Sequence, residues 1–206
     1  MTEHPAMKNP NLLVRIWRLF VSPSAHFTLG AILLYGVALG IVCWGGFHWA
    51  IELTNTETFC VSCHEHSRFT LPEVQQSSHY TNASGVRATC HDCHVPHDWL
   101  NKVATKIAVT REFFYHLAGS INTREKYEAH RQDMALNVWR SMRESDSREC
   151  RNCHDYTAMN IKLQEGLASR QHQLAVEHGV TCIDCHMGLA HKLPEGVPER
   201  KLLSEP

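Results

Sequence analysis

A mostly α-helical chain is what this sequence predicts: one apolar helix near the N-terminus, then a small helical domain with little or no β structure. Three observations predict it. Between Phe27 and Ile51 there is no Asp, Glu, Lys or Arg. Beyond residue 52 the chain turns polar, lacks hydrophobic runs long enough for a buried sheet, and repeats its apolar residues at helical spacing. The pattern Cys-x-x-Cys-His occurs four times, at Cys60 to His64, Cys90 to His94, Cys150 to His154 and Cys182 to His186.

The first 26 residues carry Lys8, Arg15 and Arg18 against Glu3 and read as a short cytoplasmic tail. As a helix, residues 27–51 extend roughly 37 Å, enough to cross a hydrocarbon core of about 30 Å. The run is too long for the core of a cleaved signal peptide and has no small-x-small site at its end. Trp44, Phe47 and Trp49 form an aromatic belt toward its outer end, and the first charges beyond are Glu52 and Glu57. The expected organisation is a tail (1–26), a single transmembrane anchor (27–51) and a domain (52–206) outside the inner membrane of a bacterium, in the periplasm. Gly36 and Gly40, four apart in the anchor, are a weak signal: they mark either a close approach of two helices, as in a homodimer or docking face, or the plain tolerance of glycine in a membrane helix. Cys43 lies inside the same apolar run and has a packing role.

The four motifs carry the chemistry. Two thiols one short turn apart form thioethers to the two vinyl groups of a haem, and the adjacent histidine supplies an axial iron ligand. Cys60 and Cys63, Cys90 and Cys93, Cys150 and Cys153, and Cys182 and Cys185 therefore attach four haems c, with His64, His94, His154 and His186 on the irons. Zinc ribbons also use paired Cys-x-x-Cys, but without a histidine after every pair. The macrocycles take the place of an apolar core, since the 43% of hydrophobic residues is concentrated near the N-terminus. A net charge of -1 excludes the basic footprint of a nucleic-acid binder.

Sixteen histidines leave enough to supply a second ligand to each iron. An internal repeat nominates them. Cys60 is followed after 19 residues by His79, then by the Cys90 motif, then by His97 three positions after His94. Cys150 is followed after 22 residues by His172, then by the Cys182 motif, then by His191 five positions after His186. His79, His97, His172 and His191 are the nominated distal ligands, and the domain divides into haem pairs at 52–121 and 122–206. Symmetry names these histidines without saying which iron each reaches, and cross-pairing between the halves is expected.

Between the halves, residues 97–120 read as a basic amphipathic helix, and a second helix runs from an N-cap at Thr123 to about Arg143. His130 lies on its apolar stripe, as a ligand or as a group packed on a porphyrin edge. A third helix is expected from Ala158 to His178, stopped by Gly179, with a loose or surface-lying tail from Lys192.

The stretches Ser84-Gly85-Val86-Arg87-Ala88-Thr89-Cys90, Cys93-His94-Val95-Pro96-His97, Cys182-Ile183-Asp184-Cys185-His186 and Ala190-His191-Lys192-Leu193-Pro194 resemble the NapC/NirT family of membrane-anchored tetrahaem cytochromes c. The resemblance covers nearly the whole chain. It implies bis-histidine ligation of most haems, with the distal histidines at His79, His97, His172 and His191. It also implies a quinol dehydrogenase that takes electrons from menaquinol or ubiquinol and hands them to a periplasmic reductase, nitrate reductase first. A relay between a separate quinol-oxidising subunit and a nitrite or other reductase is the alternative. Relatives that feed nitrite reductase continue the first motif as Cys-His-x-Met, and the methionine helps ligate the haem nearest the quinol. Here that position is His66, so His64, His66 and His97 are all candidates at the Cys60 haem, whose iron is otherwise five-coordinate. The carboxylate and lysine that the resemblance places at the quinol pocket fall on Glu112 and on Lys102 or Lys106.

Overall fold

The computed structural model describes residues 11–23 and 26–197. Lys8 and Glu3 of the tail and the C-terminal stretch 198–206 lie outside the described residues. All regular structure among the described residues is helical.

The chain forms two compact units, residues 1–49 and 50–206. In the first, α1 (Leu12–Val21) occupies part of what the sequence reads as a plain tail. Leu12, Ile16 and Trp17 recur at turns of this helix and stand exposed. Helix α2 (Leu29–Leu53) starts at Thr28, whose hydroxyl accepts from Ala31 N–H at 3.3 Å. It is 25 residues long, with mean hydropathy 1.9 and no buried residue, and so meets the length and composition of a membrane span. Gly36 and Gly40 face open space and lend the homodimer no support.

In the second unit the short helices α3 (Glu57–Cys60), α5 (Cys90–His94), α8 (Arg148–Arg151) and α10 (Cys182–Cys185) coincide with the cysteine motifs. Between α3 and α5 come a π-helical turn at His66–Thr70 and α4 (Leu71–Val74). The long helices are α6 (Trp99–Leu117), α7 (Arg124–Glu144) and α9 (Gly166–His178). Thr123 caps α7 by accepting from Lys126 N–H, and Asp98 caps α6 by accepting from Asn101 N–H. Gly179 ends α9 at φ 64, with Val180 N–H bonded to Ala175 C=O.

Helix α9 begins later than its sequence suggests. Asp155 takes the N–H and hydroxyl of Thr157 into a local turn, and Gln164 and Glu165 are extended. That detour carries Gln164 to His172.

The two halves of the unit interlock. Helix α5 packs on α8 and α10 packs on α7. Arg131 on α7 is gripped by Glu73 of α4 and donates to Lys192 C=O beyond α10. The beginning of the C-terminal tail is therefore tied down, with Pro194 buried. The buried apolar side chains among the described residues are few: Phe69, Tyr127, Trp139, Leu174, Ala175 and Ile183, with the prolines Pro96 and Pro194.

Candidate functional site

Each motif is shaped by its neighbours in sequence. In Thr89-Cys90-His91-Asp92-Cys93 and Thr181-Cys182-Ile183-Asp184-Cys185, the threonine hydroxyl and the aspartate close reciprocal capping boxes. Thr89 N–H donates to Asp92 at 2.7 Å and Thr181 N–H to Asp184 at 3.1 Å. The cap starts a single helical turn that sets both cysteines on one face, three residues apart. Thr56 caps α3 more simply, its hydroxyl accepting from Phe59 N–H at 3.2 Å. At the third motif, Asp146 and Ser147 take left-handed backbone, at φ 53 and 50. Such residues carry about 1–2 kcal/mol of strain each. Ser147 is fully buried, and its hydroxyl accepts from Ile183 N–H at 3.1 Å, joining the third motif to the fourth.

The thiols of different motifs lie together. Cys60 is hydrogen-bonded to Cys90, and the bond draws the Cys60 thiol down to about 7. Cys150 is bonded to Cys182 in the same manner, and the Cys182 thiol falls to about 6. Cys93 feels the charge of Cys153 across the packing of α5 on α8. The motifs thus succeed one another in space in chain order.

Three motif histidines face a histidine from outside the motifs. His154 faces His79, His94 faces His191 and His186 faces His172, each with ring centroids 6.1 Å apart. Metal–imidazole bonds of about 2 Å place two rings that share one ion about 6 Å apart, so this donor set fits a bis-histidine iron. Burial lowers His79 and His191 and pushes His94 down to about 4, which keeps these rings neutral, as ligation requires. His172 pairs Nδ1 with Gln164 Oε1 at 2.5 Å, which leaves Nε2 for a metal. Two of the pairs, His79 with His154 and His191 with His94, join one half of the repeat to the other.

The first motif is different. His64 faces His116, at 5.7 Å. His97, the repeat's choice, is about half exposed and turned toward Asp92 and His91. Val95 is extended and Asp98 caps α6, and these two residues direct the chain away between them. His66 is exposed on the π-helical turn and acts electrostatically on His94 and His191. His130 is exposed, with Nδ1 at 2.9 Å from Lys126 C=O.

The resemblance-derived residues are only partly gathered. Lys102 and Lys106, one turn apart on α6, point to the end of α2: Lys102 bonds Glu52 at 2.8 Å, and Lys106 bonds Thr54 C=O at 2.8 Å and its hydroxyl at 3.0 Å. Burial pulls Lys106 below the usual lysine range. Glu112 is not with them. It is exposed, 3.8 Å from Arg111, because six positions beyond Lys106 is about 240° round the helix. The carboxylate beside the lysines is Glu52, legible in the sequence only as the first charge after the apolar run.

Paired cysteines and facing histidines on a helical scaffold, behind an apolar anchor helix, define a membrane-anchored electron-transfer cytochrome of the c type. The chain belongs to the NapC/NirT cytochrome c family, whose N-terminal-region model matches residues 22–196. It is 51% identical over 177 residues to the denitrification system component NirT of Stutzerimonas stutzeri, covering 86% of this chain and 88% of the relative. It is 47% identical over 188 residues to the cytochrome c-type protein NapC of Escherichia coli strain K12, covering 91% and 94%. The NapC of Haemophilus influenzae strain Rd is 45% identical over 188 residues, covering 91% and 92%. No solved structure matches the chain.

Proposed function

We propose that this protein oxidises membrane quinol and passes the electrons singly through four covalently attached haems to a periplasmic reductase, with nitrate reductase as the terminal partner. The observation that carries the reading is the 6.1 Å spacing repeated in three histidine pairs, one on each of the last three motifs. His79 would serve the iron of the Cys150 motif, His191 that of the Cys90 motif and His172 that of the Cys182 motif. The name of the NirT relative, a denitrification system component, supports the denitrification setting.

Bound haem supplies one-electron chemistry at iron. The protein supplies the rest. Eight cysteines would hold the haems in the order of the motifs, since Cys60 is bonded to Cys90, Cys93 feels the charge of Cys153 and Cys150 is bonded to Cys182. Glu52 accepts a proton from the quinol hydroxyl as the electrons leave, while Lys102 and Lys106 hold the carboxylate and the end of α2 in place. Arg15 and Arg18 before the span, and Glu52 and Glu57 after it, orient the N-terminus to the cytoplasm and the haem domain to the periplasm.

The test is stopped-flow reduction of the full-length protein in detergent by a menaquinol analogue, following haem absorbance. Rapid reduction, abolished by a quinone-site inhibitor, is the expected result. A sample that dithionite reduces fully and quinol does not would replace this reading with that of a relay.

A further inference from the structure

We propose that His116 is the second axial ligand of the haem carried by Cys60 and Cys63, and that Glu65 is the residue that positions it. The inference rests on the reading that this motif holds a haem.

Glu65 is 3% exposed, although it directly follows the motif histidine. A carboxylate at that depth requires a partner. His116, in the last turn of α6, is that partner: its Nδ1 stands 2.8 and 2.9 Å from the two carboxylate oxygens. An ionised carboxylate can only accept, so Nδ1 carries the proton and Nε2 keeps its lone pair. This is the arrangement by which a carboxylate fixes the tautomer of a metal-bound histidine and strengthens it as a donor. Gln164 does the same for His172 with a neutral amide.

The position agrees. The His116 ring is 5.7 Å from the His64 ring, close to the 6.1 Å of the other three pairs. Ligand atoms of Cys63, Glu65 and His116 lie within 4.8 Å of one another, so the imidazole is beside the cysteine that attaches the haem. Glu65 Oε1 is also 3.3 Å from His64 Nε2, a contact that would give way if an iron took that nitrogen, with His116 left as the carboxylate's partner. The other candidates stand elsewhere: His97 beside Asp92 and His91, His66 near His94 and His191. A buried negative charge on the ligand favours ferric iron, so a haem held here would be low-spin and of lower potential than a neutral partner would make it.

The experiment uses the full-length protein, with haem content read from intact mass and spin state from electron paramagnetic resonance and absorbance. The wild type is expected to carry four haems, all low-spin. His116→Gly should turn one haem in four high-spin, and added imidazole should restore it. His97→Ala should leave every haem low-spin. Glu65→Gln, which keeps an acceptor for Nδ1 without the charge, should stay low-spin while one haem titrates at a higher potential. A full haem complement with no high-spin signal in His116→Gly overturns the ligand assignment. So does a high-spin signal in His97→Ala. An unmoved potential in Glu65→Gln overturns the positioning role. A wild type without haem on Cys60 and Cys63 removes the underlying reading as well.

Discussion

Replacing Arg131 by methionine should destabilise the haem domain by about 3–5 kcal/mol at neutral pH. The guanidinium and the Glu73 carboxylate are both buried, at 9% and 7% side-chain exposure, and are joined by bonds of 2.6 and 3.0 Å. Glu128 adds bonds of 2.6 and 3.0 Å, and Lys192 C=O accepts at 3.0 Å. Methionine fills much of the same space, so the loss is chiefly electrostatic. Glu73 is left with one backbone donor, Lys192 N–H at 3.0 Å. Burial raises the Glu73 pKa, but the hydrogen bonds from Arg131 and Lys192 outweigh it and hold the carboxyl below its ordinary range. In the wild type this pair therefore contributes stability that is complete above the unfolded carboxylate pKa and is lost as pH falls through the depressed folded value. In the variant burial dominates, the folded pKa rises above the unfolded one, and stability is lost as pH rises through the ordinary carboxylate range. The difference between the two proteins should be largest at pH 7 and shrink toward pH 4. Guanidinium denaturation followed by far-UV circular dichroism at both pH values measures it, and the double variant Arg131→Met with Glu73→Gln should recover much of the loss. A difference below about 1 kcal/mol at pH 7, the scale of an exposed pair, or one that is equal at both pH values, would refute the reasoning.

Ser147→Ala leaves Ile183 N–H without its buried acceptor and should lower stability by about 1–3 kcal/mol, read from thermal unfolding. Glu52→Gln should slow quinol oxidation by about 100-fold with all haems attached, and Glu112→Gln should leave the rate unchanged in the same stopped-flow assay. His191→Ala should give one high-spin haem by electron paramagnetic resonance. That signal should vanish when Cys90 and Cys93 are also serine, because His191 faces His94.

Legibility in the sequence tracks how local the governing physics is. The four motifs could be read directly, because their spacing is confined to one turn, and a short helix coincides with each. The anchor and the two central helices could also be read, through an uncharged run, through apolar residues at helical spacing and through the cap at Thr123. The repeat drew attention to His79, His172 and His191, each of which faces a motif histidine, but it could not say which one, since His79 meets His154 only through the packing of the two halves. The same symmetry pointed to His97, which the extended Val95 and the cap at Asp98 turn aside. His116 had no signal in its own neighbourhood: it is one histidine on a long helix, meaningful only once Glu65 is seen beneath it. Glu112 drew attention by lying on the same helix as the lysines, whereas Glu52 reaches them from far away in sequence.

The pairs that join the two halves would also act as staples. If one iron holds His79 to His154 and another holds His191 to His94, each closes a loop of roughly 75 to 100 residues. A covalent cross-link over such a loop restrains the unfolded chain by about 4–5 kcal/mol. A coordination bond does so reversibly. Strong exogenous ligands that capture these irons should therefore loosen a tertiary structure that has few buried apolar side chains to hold it, so that ligand exchange at a haem and the integrity of the whole domain become one equilibrium.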